Sequence, residues 1–333
     1  MKQKMIGAAN VLLAVHLISA GLCGAGEQVY KYAVSFGKGV PVTDSAIVFA
    51  EEAEKRSNGA IKIRVYENNS LGHSVEALEA TQRGNIEFVG STLSQYASFT
   101  KAFMPLSLPY LFSNKEHAYR FLDSEIGEQI KSAVADSQDL LILGWLENGN
   151  RHLFNNVRPI YSPADVAGLK IRVMENPIQM KTIEFMGGLP TPMAMTEQFT
   201  ALQQGQIDGA ENSYQNISGL RLFEVAKYLS ETSHFYEISC MAINTKLFRS
   251  LSPEHQKILR EAAMVAQVDC RERTALLDDK IRKELESQVA INPLTPEQIE
   301  VFRLATKPIH AWLLEQNYDP LNKIIMDEVE RLR

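Results

Sequence analysis

The sequence predicts an α/β protein of two units followed by a helical region. Short runs with an apolar residue at every second position alternate with longer amphipathic runs, the mark of a sheet with helices on its faces. The pattern occurs once over residues 30–90 and again over 140–244. After Pro253 a helical run continues to about Val289 without Gly or Pro. A helix of about 36 residues is about 54 Å long at 1.5 Å per residue, more than one small domain, so it is expected to span both units.

The elements follow in order. Residues 30–35 (YKYAVS) read as a strand, and Thr43 or Asp44 caps a helix that ends at Asn58-Gly59. Residues 61–66 (IKIRVY) are a second strand, Ser74 caps a helix stopped by Gly84, and 86–90 (IEFVG) are a third strand. In the second unit, 140–145 (LLILGW) and 151–156 (RHLFNN) are separate strands, and Ser162-Pro163 opens a helical turn. In GLKIRV (168–173), Leu169, Ile171 and Val173 alternate with Lys170 and Arg172, a half-buried strand. A helix over 177–187 ends at Gly187-Gly188, and Thr196 caps another that Gly205 ends. Then come a strand at 206–211, a helix at 214–229 and an extended stretch from His234 to Asn244. Ser252-Pro253 opens the long helix, and Thr295-Pro296-Glu297-Gln298 is a capping box with proline at the first helical position.

With 333 residues, 45% hydrophobic and 22% charged, the chain is globular and long enough for two domains. Its net charge of -6 and lack of any Lys/Arg run disfavour nucleic acid as a partner. At the start, Lys2 and Lys4 precede a mostly apolar stretch, Met5 to Leu22, and then Gly24, Ala25 and Gly26. This reads as a cleaved signal peptide, residues 1–26, and an exported mature chain. The competing reading, a membrane anchor, is weakened by Asn10 and His16 in a span already short. Leu22 is bulky where a lipoprotein signal before Cys23 has small residues. An oxidising compartment permits Cys240 and Cys270 to pair; two buried thiols are the alternative.

Motifs for catalysis are missing. The seven histidines form no HExxH, and there is no GxSxG elbow, Walker A sequence or GxGxxG. A Ser/His/Asp triad assembled in space is neither placed nor excluded. What stands out is polar residues at strand ends: Arg151, Arg172 and Glu211-Asn212-Ser213. Taken singly, a strand arginine is most often a solvated charge or an ion pair, and Asn after a strand a turn residue. Together they can line one crevice, because ligands in open α/β sheets bind outside the strand ends.

The run GLKIRVMENPIQMKTIEFMGGLPTPMAMTEQFTALQQGQIDGAENS resembles the core of the substrate-binding proteins of TRAP transporters, the DctP/SiaP-like family. LKIRV, PTPMA and ALQQGQIDGAEN carry the likeness; ENGNRHLFNN, LFEVAKYLSETSH and LPYLF support it on either side. The resemblance implies a two-lobed periplasmic-binding-protein fold with a central cleft and a long helix spanning both lobes. Lobe I would comprise 27–148 plus 237–276, and lobe II 149–236 plus 277–333 with the C-terminal helices. It implies a monomeric periplasmic receptor, not an enzyme, that needs no metal or cofactor. Its partners would be a small organic acid and the TRAP membrane permease subunits.

Residue by residue, Arg172 matches the arginine that pairs with the ligand carboxylate. Its planar fork presents two parallel donors, which lysine lacks. Arg151 matches a second arginine, and Asn212 an amide that donates to the same carboxylate; Glu211 reads as structural, bonding an arginine. Ser35, Ser74 and Thr92 fall at ligand-facing positions of the opposite lobe, where sialic-acid binders carry amides or acids. Met195 replaces an aromatic found in some members, and Glu175 is placed to accept from ligand hydroxyls. Tyr236, Phe235 and His73 are expected to border the cleft. A second ligand carboxylate would want a second cation, and none of the three first-lobe positions has one. A sugar acid, a uronate or aldonate, is therefore favoured over a C4-dicarboxylate or keto acid. An exported enzyme using the same cleft, or a sensory receptor, is the competing reading.

Overall fold

A computed structural model describes residues 29–97, 100–316 and 320–333; the expected signal peptide and Cys23 lie outside them. Among the described residues nine strands form one sheet: β1 (Val29–Val34), β2 (Lys62–Tyr66), β3 (Phe88–Thr92), β4 (Leu140–Asn155), β5 (Lys170–Val173), β6 (Leu189–Pro192), β7 (Gly209–Ser213), β8 (Tyr228–Asn244) and β9 (Ala290–Pro293). The order is β2-β1-β3-β8-β4-β7-β5-β6, with β9 on β8. At one end β1 runs parallel to β2 and β3; at the other, β5 runs parallel to β6 and β7. The long antiparallel pair β4 and β8 joins the two trios.

β4 corrects the sequence reading, which broke this segment into two strands. It is one strand of 16 residues whose pairing with β8 slips at Ile142/Gly144, Glu147/Gly149 and Arg151/Leu153. Such bulges bend a strand and raise its twist. Gly149 takes a φ of +81°, which a side chain would resist. The polar Glu147–Asn150 segment that read as a loop is the bent middle of this strand.

Several helix starts move. Pro41, not Thr43 or Asp44, opens helix Pro41–Arg56, because its ring presets the first helical φ. The Thr43 hydroxyl instead donates to the Phe36 carbonyl at 2.9 Å, and Asp44 accepts from the Gly39 N–H at 3.0 Å. Ser74 is the first residue of helix Ser74–Gln82 rather than its cap. Thr196 lies within a 3₁₀ turn, Met195–Glu197, before helix Gln198–Gln203. The helix expected over 214–229 stops at Gly219, and β8 has begun by Tyr228. The long helix runs Pro253–Leu285, 33 residues, about 50 Å. The helix thus ends four residues before the expected Val289, and the chain then enters β9, a strand that the alternation did not reveal. Helices Lys115–Leu122 and Glu125–Gln138 were not read at all.

The long helix packs on both ends of the sheet. Leu259, Ala262, Ala263, Ala266 and Cys270 join the cluster of Phe49, Phe88 and Val34; Leu285 joins that of Phe154 and Leu229. Its three alanines let helix Pro41–Arg56 approach closely. The C-terminal helices divide. Phe302 of helix Pro296–Thr306 packs with Leu153, Ile171 and Val173. Ile309, Leu313, Ile325 and Val329 pack instead with Phe103, Phe121 and Trp145. Ile178 of helix Pro177–Phe185 joins the same cluster, so it draws on both halves of the chain. Cys240 and Cys270 are both buried free thiols.

Candidate functional site

The alternation in β5 suggests that Arg172 shares an outward face with Lys170. Lys170 is exposed, but Ile171, Arg172 and Val173 are all buried. β5 lies between β6 and β7, and an inner parallel strand is covered on both faces. Arg172 is 1% exposed. Its Nε and Nη2 donate to the Met193 carbonyl at 3.0 and 2.7 Å, which fixes the plane of the guanidinium. Nη1 is buried with no partner, and among the described residues no carboxylate forms an ion pair with Arg172. Burial, together with the Arg151 charge, pulls its pKa from 12.5 down to about 10 despite Glu211, Glu197 and Glu175.

Arg151, on the bent middle of β4, is equally buried but paired. Its Nε and Nη2 bond both oxygens of Glu211 on β7, and Nη2 also donates to the Glu211 carbonyl at 2.9 Å. Burial opposes the Arg151 charge, yet the Glu211 carboxylate outweighs it and raises the pKa. Glu211 therefore holds an arginine, as expected from sequence. Asn212 pairs with His152 in the same ladder. Its Oδ1 accepts from Ser213 N–H at 3.0 Å and Asn216 Nδ2 at 2.9 Å, which orients its amide and leaves the NH₂ as its donor.

Behind Arg151, Glu237 on β8 is 3% exposed. It accepts from the Ser94 N–H at 3.3 Å and the Ser94 hydroxyl at 2.9 Å, and lies 4.0 Å from Arg151 Nε. Burial pushes its pKa up to about 7. His234 and His152 are buried and held below the usual histidine range, so both are neutral at pH 7.

Arg172, Arg151, Asn212 and Met195 face Ser35, Ser74 and Thr92 across a narrow inner cavity that leaves the centres of water-sized groups about 20 Å³. An outer chamber of about 210 Å³ adjoins it, sharing Ser74, Gln95 and Met195 and adding Glu175, His73 and Asn69. Ser35 and Ser74 bond each other at 2.8 Å. The Thr92 hydroxyl accepts from the Gln95 N–H at 3.3 Å and lies 3.8 Å from Met174 Sδ, so the two ends of the sheet touch here.

Nine of the eleven residues that the sequence places at the cleft thus line one continuous crevice. Tyr236 does not. Its hydroxyl donates to Glu147 at 2.6 Å and its ring meets Phe112, in a separate small cavity with Tyr119 and Trp145. Phe235 is buried against His234 and lines neither chamber. Sequence reasoning missed Ser91, Gln95 and Asn216. Ser91 and Gln95 flank Thr92 in STLSQ, and Asn216 follows Asn212 by four residues, so each was within reach of a residue already chosen.

Comparison with known proteins decides the family. The profile of bacterial extracellular solute-binding protein, family 7 (DctP) matches residues 33–317. The chain belongs to this family, the solute-binding proteins of TRAP transporters. It has their two-lobed α/β fold. A solute-binding protein of Chromohalobacter salexigens is 33% identical over 283 residues, 84% of this chain and 82% of that protein. A TRAP periplasmic solute-binding protein of Roseobacter denitrificans, solved with bound β-D-glucuronate, superposes with a TM-score of 0.85 at 29% identity, covering 90% of this chain and 99% of that one. Another, from Sulfurospirillum deleyianum with bound succinate, has a TM-score of 0.85 at 25% identity, covering 92% and 99%. The family binds small carboxylates outside the cytoplasm and works with a membrane permease.

Proposed function

We propose that this protein captures a sugar acid, a uronate or aldonate, in the periplasm and delivers it to TRAP permease subunits. The observation that carries the proposal is Arg172: a buried cation with one nitrogen unbonded at a cavity and no counter-charge of its own. A carboxylate there supplies the missing charge in the planar, two-donor geometry a guanidinium favours. The Asn212 NH₂ adds a neutral donor, and Arg151, braced by Glu211, contributes positive field. The facing wall presents the hydroxyls of Ser35, Ser74 and Thr92, and the outer chamber adds Glu175 and Gln95. These suit the hydroxyls of a sugar acid. The second charge of a C4-dicarboxylate, directed at the facing wall of Ser35, Ser74 and Thr92 or at the outer chamber, meets no lysine or arginine there. The glucuronate-bound relative agrees with this choice.

The inner cavity is too small for such a ligand as it stands, so the lobes must part to admit it. The bulges of β4 at Glu147/Gly149 and Arg151/Leu153 are the bend about which they move. On this reading lobe I holds 27–148 and 237–276, and lobe II 149–236 with the helices that pack on it. The chain acts as a monomeric receptor without turnover, after loss of residues 1–26.

A thermal-shift screen of uronates, aldonates, C4-dicarboxylates and keto acids tests the proposal. A ligand at a hundredfold excess over its dissociation constant stabilises the protein by about 2.7 kcal/mol. A sugar acid should shift the wild type and fail to shift Arg172→Ala. An undiminished shift in that variant removes Arg172 from its role, and product formation on long incubation rejects the receptor reading for an enzyme.

A further inference from the structure

Two guanidiniums and two carboxylates are buried together behind the cavity. Arg151 bonds Glu211 through both side-chain oxygens, and Glu237 Oε2 lies 4.0 Å from the same Arg151 Nε. Arg172 feels Glu211 but forms no ion pair with it. With all four ionised the cluster is neutral. A ligand carboxylate at Arg172 then leaves one negative charge in excess, in a site closed to water, where an unbalanced charge is costly. We infer that Glu237 is a proton-binding site coupled to the carboxylate cavity: the ligand enters as its anion and Glu237 takes up a proton as it binds. The inference rests on the carboxylate reading of Arg172.

The surroundings of Glu237 fit both of its states. From β4 it faces Arg151; from β7, Glu211; from the helix Leu93–Tyr96, Ser94; from the helix Pro177–Phe185, Gln179 at 3.5 Å. The ionised form accepts from the Ser94 N–H, the Ser94 hydroxyl and Gln179. The protonated form donates to the Ser94 oxygen, whose own hydrogen turns to Ser107 Oγ, 3.4 Å away. Neither nearby imidazole competes: His234 Nε2 lies 3.8 Å from Glu211 Oε2 but is held neutral by burial and Arg151, and His152 is buried likewise. Glu147, on the same strand pair, is engaged by Tyr119 and Tyr236. Burial has already brought Glu237 to about 7, so a further negative charge in the cavity moves its titration above neutrality.

Calorimetry with D-glucuronate, D-galactonate and succinate tests this, each run at pH 8 in HEPES and in Tris, which release different heats with their protons. The binding enthalpy of the wild type should depend on buffer, with roughly one proton taken up per ligand, and its affinity should fall by up to about tenfold per pH unit above 7. Glu237→Gln, which mimics the protonated side chain, should show no buffer dependence and a flat affinity from pH 6.5 to 8.5. A buffer-independent enthalpy in the wild type overturns the inference whether or not the variant folds, and so does proton uptake that survives in Glu237→Gln. Should none of the three acids bind, the carboxylate reading fails and the coupling falls with it. The proton site is then read in the free protein. A carboxyl whose folded pKa is raised contributes stability below its unfolded pKa and loses it as pH rises through the folded value. The wild type should thus weaken relative to Glu237→Gln between pH 5 and 8, and parallel stability curves refute the site.

Discussion

Arg172→Met should abolish binding yet leave the empty protein at least as stable as the wild type. Methionine keeps an unbranched apolar stem of similar reach and removes the charge. The drop of the Arg172 pKa from 12.5 to about 10, at 1.36 kcal/mol per unit, sets the cost of holding that cation in the empty site at about 3 kcal/mol. Against it stands the Met193 carbonyl, which accepts from both nitrogens as one shared charge-assisted contact, worth about 2 kcal/mol. The balance favours the variant by about 1 kcal/mol, or about 1.5 °C for a chain of this size. The assay is urea or thermal unfolding of protein stripped of ligand by unfolding and refolding, then repeated with a saturating sugar acid. Wild type should gain stability from the ligand and Arg172→Met should not. If the ligand-free variant is less stable than wild type by 2 kcal/mol or more, Arg172 is a structural brace, and the argument from its missing counter-charge is refuted.

Glu211→Gln should behave in the opposite way, because it leaves Arg151 buried without its partner; urea unfolding should show a loss of about 3–5 kcal/mol, much of it recovered when Arg151→Met is added. Asp278, on the long helix beside Gly149, accepts from Gln215 at 2.7 Å, and burial raises its pKa to about 7. Its contribution is present at low pH and is lost as pH rises through that value, so wild type should weaken relative to Asp278→Asn between pH 5 and 8, read by chemical denaturation at each pH. Tyr236→Phe should leave ligand affinity within about twofold while costing about 1 kcal/mol for its hydrogen bond to Glu147; a tenfold loss of affinity in calorimetry would return Tyr236 to the cleft.

The parts of the fold legible in the sequence are those whose periodicity is local. β1, β2 and β5 show alternation, and Pro253 and Pro296 mark helix starts, because these signals act within a turn or two. The segment 93–138 has no such rhythm. Its helices are held by Phe103, Phe121 and Val134 packing against Trp145 and the distant Ile325, contacts invisible along the chain. The site shows the same limit from the other side. Alternation placed Arg172 outward, and the two strands flanking β5 bury it. That contradiction is informative: an arginine that a pattern marks for solvent, and the fold encloses without a carboxylate, is retained at a cost in stability. Tyr236 is the converse error. Its side chain falls on the face of β8 that also carries Ile238, Cys240 and Ala242, which the aromatic cluster of Phe103 and Trp145 covers. The sequence shows the alternation of β8 but not which of its two faces that cluster covers, because Phe103, Phe121 and Trp145 reach it from distant parts of the chain.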